Sequence, residues 1–302
     1  MNTIRPFVKQ YPLPIFFILA LGLPWLCAPL ADAIFYSGLP TLLAIALALP
    51  FEVLVASPLL AALIVTAITT GKTGVKSLLH KFTQWRIGWG WYAVALLFPP
   101  ALSLVAAYLN MLWGAPLPTL TIFGSGSSLL LAFALRLINP WDGPLMEELG
   151  WRGFALPHLQ ARYSPLTANL ILAGLVMIWH LRYVFSGDLP LFALLGTLAA
   201  TILFGWLYNN TQGSVLLAYL FHAADGVLKP NYTGVDSVRY LWLLVAMWCV
   251  AALVVILTTR SNLARRKLPD AAPDTGQPVQ VFEGDAYRQV IDSSSRSIRQ
   301  NH

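Results

Sequence analysis

Glu147 and Glu148 stand side by side, with Arg152 four residues after the second, in Pro144-Leu-Met-Glu147-Glu148-Leu-Gly-Trp-Arg152-Gly-Phe. The surrounding chain is nearly free of charge. An ionisable side chain at the middle of a bilayer costs about 2.5–3.5 kcal/mol on insertion scales, so such a group needs partners, water or a role. On a helix Glu148 and Arg152 share a face and pair in the favourable acid-first order. Glu147 points about 100° away and has no basic residue three or four positions along the helix. One carboxylate is neutralised. The other is left over and is the candidate for chemistry.

Two imidazoles follow in later apolar segments: His180 in Val176-Met-Ile-Trp-His180, and His222 in Leu220-Phe-His222-Ala-Ala-Asp225. Asp225 lies three residues after His222 on the same helical face, so the two either hydrogen-bond to each other or point together into one cavity. His80, His158 and His302 lie outside such segments and are read as structural or surface groups. A carboxylate and two imidazoles in separate apolar segments are candidates for one shared site. The same groups could form the proton relay of a transporter. Glu147, His180 and His222 could also supply three zinc ligands. The His-Glu-x-x-His spacing is missing, however, and each ligand would come from a different span, so no cofactor is expected.

The elements that must bring these groups together are membrane helices. The 302 residues are 57% hydrophobic and 11% charged, with a mean hydropathy of +0.66. A soluble domain carries about 25% charged residues. The expected fold is an all-α, polytopic membrane helical bundle of about eight spans with a disordered polar C-terminal tail. The candidate spans are Leu13–Leu30, Leu39–Thr69, Trp89–Trp113, one starting near Leu129, Leu166–Val184, Leu189–Tyr208, Ser214–Leu228 and Tyr240–Thr259. The first is read as a retained span, with a signal peptide cleaved at Ala31-Asp32-Ala33 as the alternative. Glu52, inside the second, is read as interfacial or bonded within the bundle.

The net charge of +6 lies largely in short flanks of apolar segments and gives no reason to expect nucleic acid. Lys72, Lys76, Lys81 and Arg86 make residues 71–88 a basic amphipathic segment on the cytoplasmic surface. This bias predicts both termini on the cytoplasmic side, in a membrane taken to be a bacterial cytoplasmic membrane. Cys27 and Cys249 are read as packed thiols.

Geometry makes one demand. A straight helix from Leu129 would carry Glu147 about 27 Å along its axis, and His180 would lie about 21 Å from the start of its own span, which leaves the two some 20 Å apart in depth. For the two to share a site, Asn139-Pro140-Trp141-Asp142-Gly143-Pro144 must interrupt the fourth span and restart the helix that carries Glu147, or the spans must be steeply tilted.

Taken in order, Glu147-Glu148-x-x-x-Arg152, a histidine closing an apolar span (His180), and His222 followed by a polar residue resemble the CAAX prenyl protease and bacteriocin-processing family (Abi, CPBP) of intramembrane glutamate proteases. The resemblance covers about residues 125–228. It departs from the family pattern at Val176, where phenylalanine is usual, and at Asp225/Gly226, where asparagine is usual. It implies that Glu147 is the general base, that His180 positions the water, that His222 donates to the oxyanion, and that Glu148 and Arg152 form the supporting pair. The substrate implied is a membrane-associated protein or peptide. A non-catalytic membrane scaffold or bacteriocin-immunity protein on the same fold is the alternative. On this reading residues 1–124 are N-terminal membrane helices with the amphipathic segment, 125–228 the catalytic core, 229–260 the last span and 261–302 the tail.

Overall fold

The computed structural model describes residues 4–55, 57–118, 126–139, 143–228, 232 and 234–264. The expected disorder of the tail falls almost wholly outside them, as does the side chain of Glu52.

Among the described residues there are helices and no strands. They are α1 (Ile4–Gln10), α2 (Pro12–Phe35), α3 (Thr41–Val55), α4 (Ser57–His80), α5 (Trp89–Leu112), α6 (Gly126–Ile138), α7 (Pro144–Glu148), a π-helical turn (Leu149–Ala155), α8 (Leu156–Gln160), α9 (Pro165–Phe185), α10 (Leu194–Asn210), α11 (Val215–Asp225) and α12 (Gly234–Thr259). Helix starts follow familiar chemistry. Ser164 and Ser214 cap α9 and α11 by accepting from the backbone N–H of Thr167 and Leu217. Pro24, Pro29, Pro50, Pro99 and Pro100 all lie inside helices, as neighbouring helices in a membrane bundle allow.

The molecule is an all-α polytopic membrane bundle. Among the described residues six segments are long and apolar enough to cross a membrane: Pro12–Phe35, Ser57–Thr83, Trp89–Leu112, Pro165–Phe185, Leu191–Asn210 and Gly234–Asn262. The sequence suggested about eight. Of the other expected crossings, the one from Leu129 is the 13-residue α6 and the seventh is the 11-residue α11. Both fall short of the about 20 residues that a hydrocarbon core requires. The single tilted helix expected over Leu39–Thr69 is instead α3 followed by the separate α4.

Among the described residues two large apolar clusters hold the bundle, beside a small one of Ala107, Ala115 and Tyr232. One joins α2, α4, the π turn, α8 and α9 through Phe16, Val65, Trp151, Phe154, Leu172 and Trp179. The other joins α5, α10, α11 and α12 through Leu203, Phe204, Leu207, Phe221 and Trp248. The short helix run 144–160 contributes its π turn and α8 to the first cluster, and all seven residues of the π turn are buried.

Candidate functional site

The break that the sequence demanded is present: α6 ends at Ile138 and α7 begins at Pro144. The two helices are fixed separately. The end of α6 is stitched to α11, because Tyr219 donates its hydroxyl to the Leu137 carbonyl and Arg136 Nε donates to the Ala223 carbonyl at 2.9 Å. The π turn that follows α7 is seated on α4. A Cβ on Gly150 would lie 2.4 Å from the Pro58 carbonyl oxygen, so only glycine allows this crossing. Lys81 Nζ donates to the Gly153 carbonyl at 2.6 Å from the other side. The sequence had placed Lys81 in a solvated basic face; it belongs to the frame of the site.

Glu148 and Arg152 pair as their spacing predicted, Arg152 Nη1 donating to Glu148 Oε1 at 3.0 Å. Both are buried, Glu148 at 0% exposure and Arg152 at 3%, so neither charge is screened by water. His222 reaches the same oxygen, its Nδ1 lying 2.7 Å from Glu148 Oε1. A carboxylate oxygen accepts, so Nδ1 carries the proton and the bond fixes the ring. The Arg152 guanidinium also lies over the Phe204 ring at 4.1 Å, and that ring packs edge-on against His222 at 5.5 Å.

Glu147 has no Lys or Arg partner among the described residues. Trp151 Nε1 donates to its Oε2 at 3.2 Å. Its Oε1 turns to Gly143, where a Cβ would lie 2.6 Å from Oε1 and 2.8 Å from His222 Nε2. The carboxylate and the imidazole thus close together on one bare backbone position, which any side chain at 143 would fill.

His180 Nδ1 lies 2.9 Å from the Val176 carbonyl on its own helix. A carbonyl accepts, so Nδ1 carries the proton there and Nε2 is the ring's remaining nitrogen. His180 is within electrostatic range of both Glu147 and His222. Arg182, two residues after His180, stacks on Trp179 at 4.5 Å and on Tyr183 at 4.1 Å. It too is within electrostatic range of His180.

The carboxylates, Arg152 and the two histidines are therefore gathered, from α7 with its π turn, α9 and α11. Asp225 sits differently. His222 gives its Nδ1 to Glu148 and not to Asp225, and Asp225 is within electrostatic range of Tyr240 on α12. Among the described residues no group of three or more His, Cys, Asp or Glu side chains is arranged to hold a metal ion. Sequence reading assigned no role in the site to Gly143, Trp151, Phe204, Lys81 or Arg136. The last carried a usable signal, as a single charge inside an apolar helix, the same signal that selected Glu147.

Residues 125–227 match the family model described as Type II CAAX prenyl endopeptidase Rce1-like. A curated relative, CAAX prenyl protease 2 of Methanococcus maripaludis, is 27% identical over 141 residues, covering 43% of this chain and 52% of the relative. The match thus spans about half the length of that relative. The matched family segment contains Glu147, Glu148, Arg152, His180 and His222, and both findings are similarities to CAAX prenyl endopeptidases.

Proposed function

We propose that this chain is an intramembrane endopeptidase that hydrolyses a peptide bond of a membrane-associated protein or peptide with a glutamate-activated water. The observation that carries the proposal is the approach of Glu147 Oε1 and His222 Nε2 to the same point at Gly143, with His222 locked from behind by Glu148.

Glu147 takes a proton from a water held between itself and His180 Nε2. The hydroxide adds to the scissile carbonyl, and His222 donates Nε2–H to the oxyanion that forms. Collapse of that intermediate breaks the C–N bond, and Glu147 returns the proton to the departing amine. Donation from Nε2 while Nδ1 is bonded to Glu148 requires a doubly protonated His222. That state balances charge in the buried group: two carboxylates against the Arg152 guanidinium and one imidazolium. Glu148 and Arg152 then support the catalytic groups, and the step needs no metal. The site would work inside a bacterial cytoplasmic membrane with both termini in the cytoplasm.

The test uses the full chain in detergent, with fluorogenic membrane peptides prepared with and without a prenyl group. Glu147→Gln keeps the acceptor for Trp151 and removes the base. It is expected to abolish cleavage, with purification yield and thermal midpoint unchanged, and wild-type cleavage is expected to survive chelators. Normal cleavage by Glu147→Gln ends the proposal. Wild-type complementation of a deletion strain by the same variant would favour the scaffold alternative.

A further inference from the structure

Arg136 is the single charged residue between Gly114 and Trp141, and it lies against the far end of the helix that carries His222. Its Nε donates to the Ala223 carbonyl at 2.9 Å, and its Nη2 lies 3.4 Å from the carbonyl of His222 itself. The seat for the guanidinium is Gly226, where a Cβ would lie 2.0 Å from Arg136 Cζ and 2.1 Å from Nη1. The cation occupies the volume that a side chain at 226 would fill. The last carbonyls of a helix have no partner inside it, and a cation there also complements the helix dipole. Helix α11 has 11 residues and ends three after His222, so its final turn depends on such a cap.

We infer that Arg136 is a positioning residue for His222. By holding the carbonyls of His222 and Ala223, it fixes the turn from which the imidazole reaches Glu148 Oε1 and the Glu147 carboxylate. The consequence for catalysis rests on the proposed roles of Glu147 and His222. The seating of the guanidinium on Gly226 does not.

The experiment compares Arg136→Met, Gly226→Ala, the double variant and Arg136→Lys in the full chain, by steady-state cleavage of the same peptides and by hydrogen–deuterium exchange of α11. A displacement of about 1 Å in a catalytic group costs about 10²-fold, so Arg136→Met should lower kcat by about 10- to 100-fold with KM changed less than about twofold. Gly226→Ala should lower kcat similarly, because the methyl expels the guanidinium, and the double variant should be no worse than Arg136→Met alone. Arg136→Lys should recover part of the loss. Exchange at the end of α11 should quicken in Arg136→Met and Gly226→Ala, while thermal midpoints stay close to wild type. A wild-type kcat for Arg136→Met, or fully additive losses in the double variant, overturns the inference. If Glu147→Gln cleaves normally, the catalytic reading has failed on its own, and unchanged exchange in Arg136→Met then overturns the seating.

Discussion

At the end of α11, His222 is bound into a set of charges that spans three elements. Its Nδ1 meets Glu148, Glu148 meets Arg152, and Arg152 lies on Phe204 of α10. Near the end of α9, His180 is held by one carbonyl of its own helix and by the neighbouring rings of Trp179 and Tyr183. Both rings have Nδ1 engaged, yet the His222 side cannot lose its central carboxylate without stranding a charge in a buried interior. The His180 side can lose its imidazole and keep its helix. The difference teaches which part of the site is also part of the fold. The first region should respond to substitution in both stability and cleavage, the second in cleavage alone.

The largest expected effect follows from removing the hub. Glu148→Ala leaves Arg152 buried without its carboxylate and frees His222. Breaking one side of a buried ion pair costs about 3–5 kcal/mol, so this variant should unfold at a much lower temperature in detergent and lose cleavage. A thermal midpoint within a few degrees of wild type would place the stability of the His222 region elsewhere and dissolve the contrast. Phe204→Leu is a milder probe of the same region. It keeps the apolar volume and removes the ring beneath the guanidinium, a contact worth about 2 kcal/mol when desolvated. A midpoint shift well short of that of Glu148→Ala, with slower cleavage, is expected.

Much of this arrangement was legible in the sequence, because membrane interiors make charge conspicuous. Glu147, Glu148 and Arg152 declared themselves by their cost, and the i,i+4 rule gave the correct pair. The proline-rich stretch after Ile138 announced a break before the helix that carries Glu147. Partners distant in sequence were harder to read. The proximity of Asp225 along the chain suggested a partner for His222, but the bond goes to Glu148, 74 residues away, since tertiary packing overrides local spacing. The π turn left no recognisable pattern, because a single extra residue in a helical turn changes no composition. Lys81 looked like one of four cations on an amphipathic face, and only its approach to the Gly153 carbonyl separates it from the others. The sequence reading of about eight crossings also counts apolar runs such as Ser214–Leu228, whose helix has only 11 residues, whereas length and apolarity select six segments among the described residues.

The smallest expected effect on stability is the sharpest test of the contrast. His180→Gln gives up one hydrogen bond to the Val176 carbonyl, a bond that lies within a single helix and carries no charge pair. A typical intramolecular hydrogen bond contributes about 0.5–1.5 kcal/mol net, and glutamine is a good helix former, so the thermal midpoint should barely move. If His180 Nε2 holds the attacking water, cleavage should still fall by about 10²–10⁴-fold, the usual contribution of a positioned acid–base group. Stability kept and cleavage lost would separate the His180 region from the His222 region in the way their contacts predict. Loss of both would mean that α9 depends on this imidazole for its packing against the carboxylate helix, and the two regions would then be one structural unit.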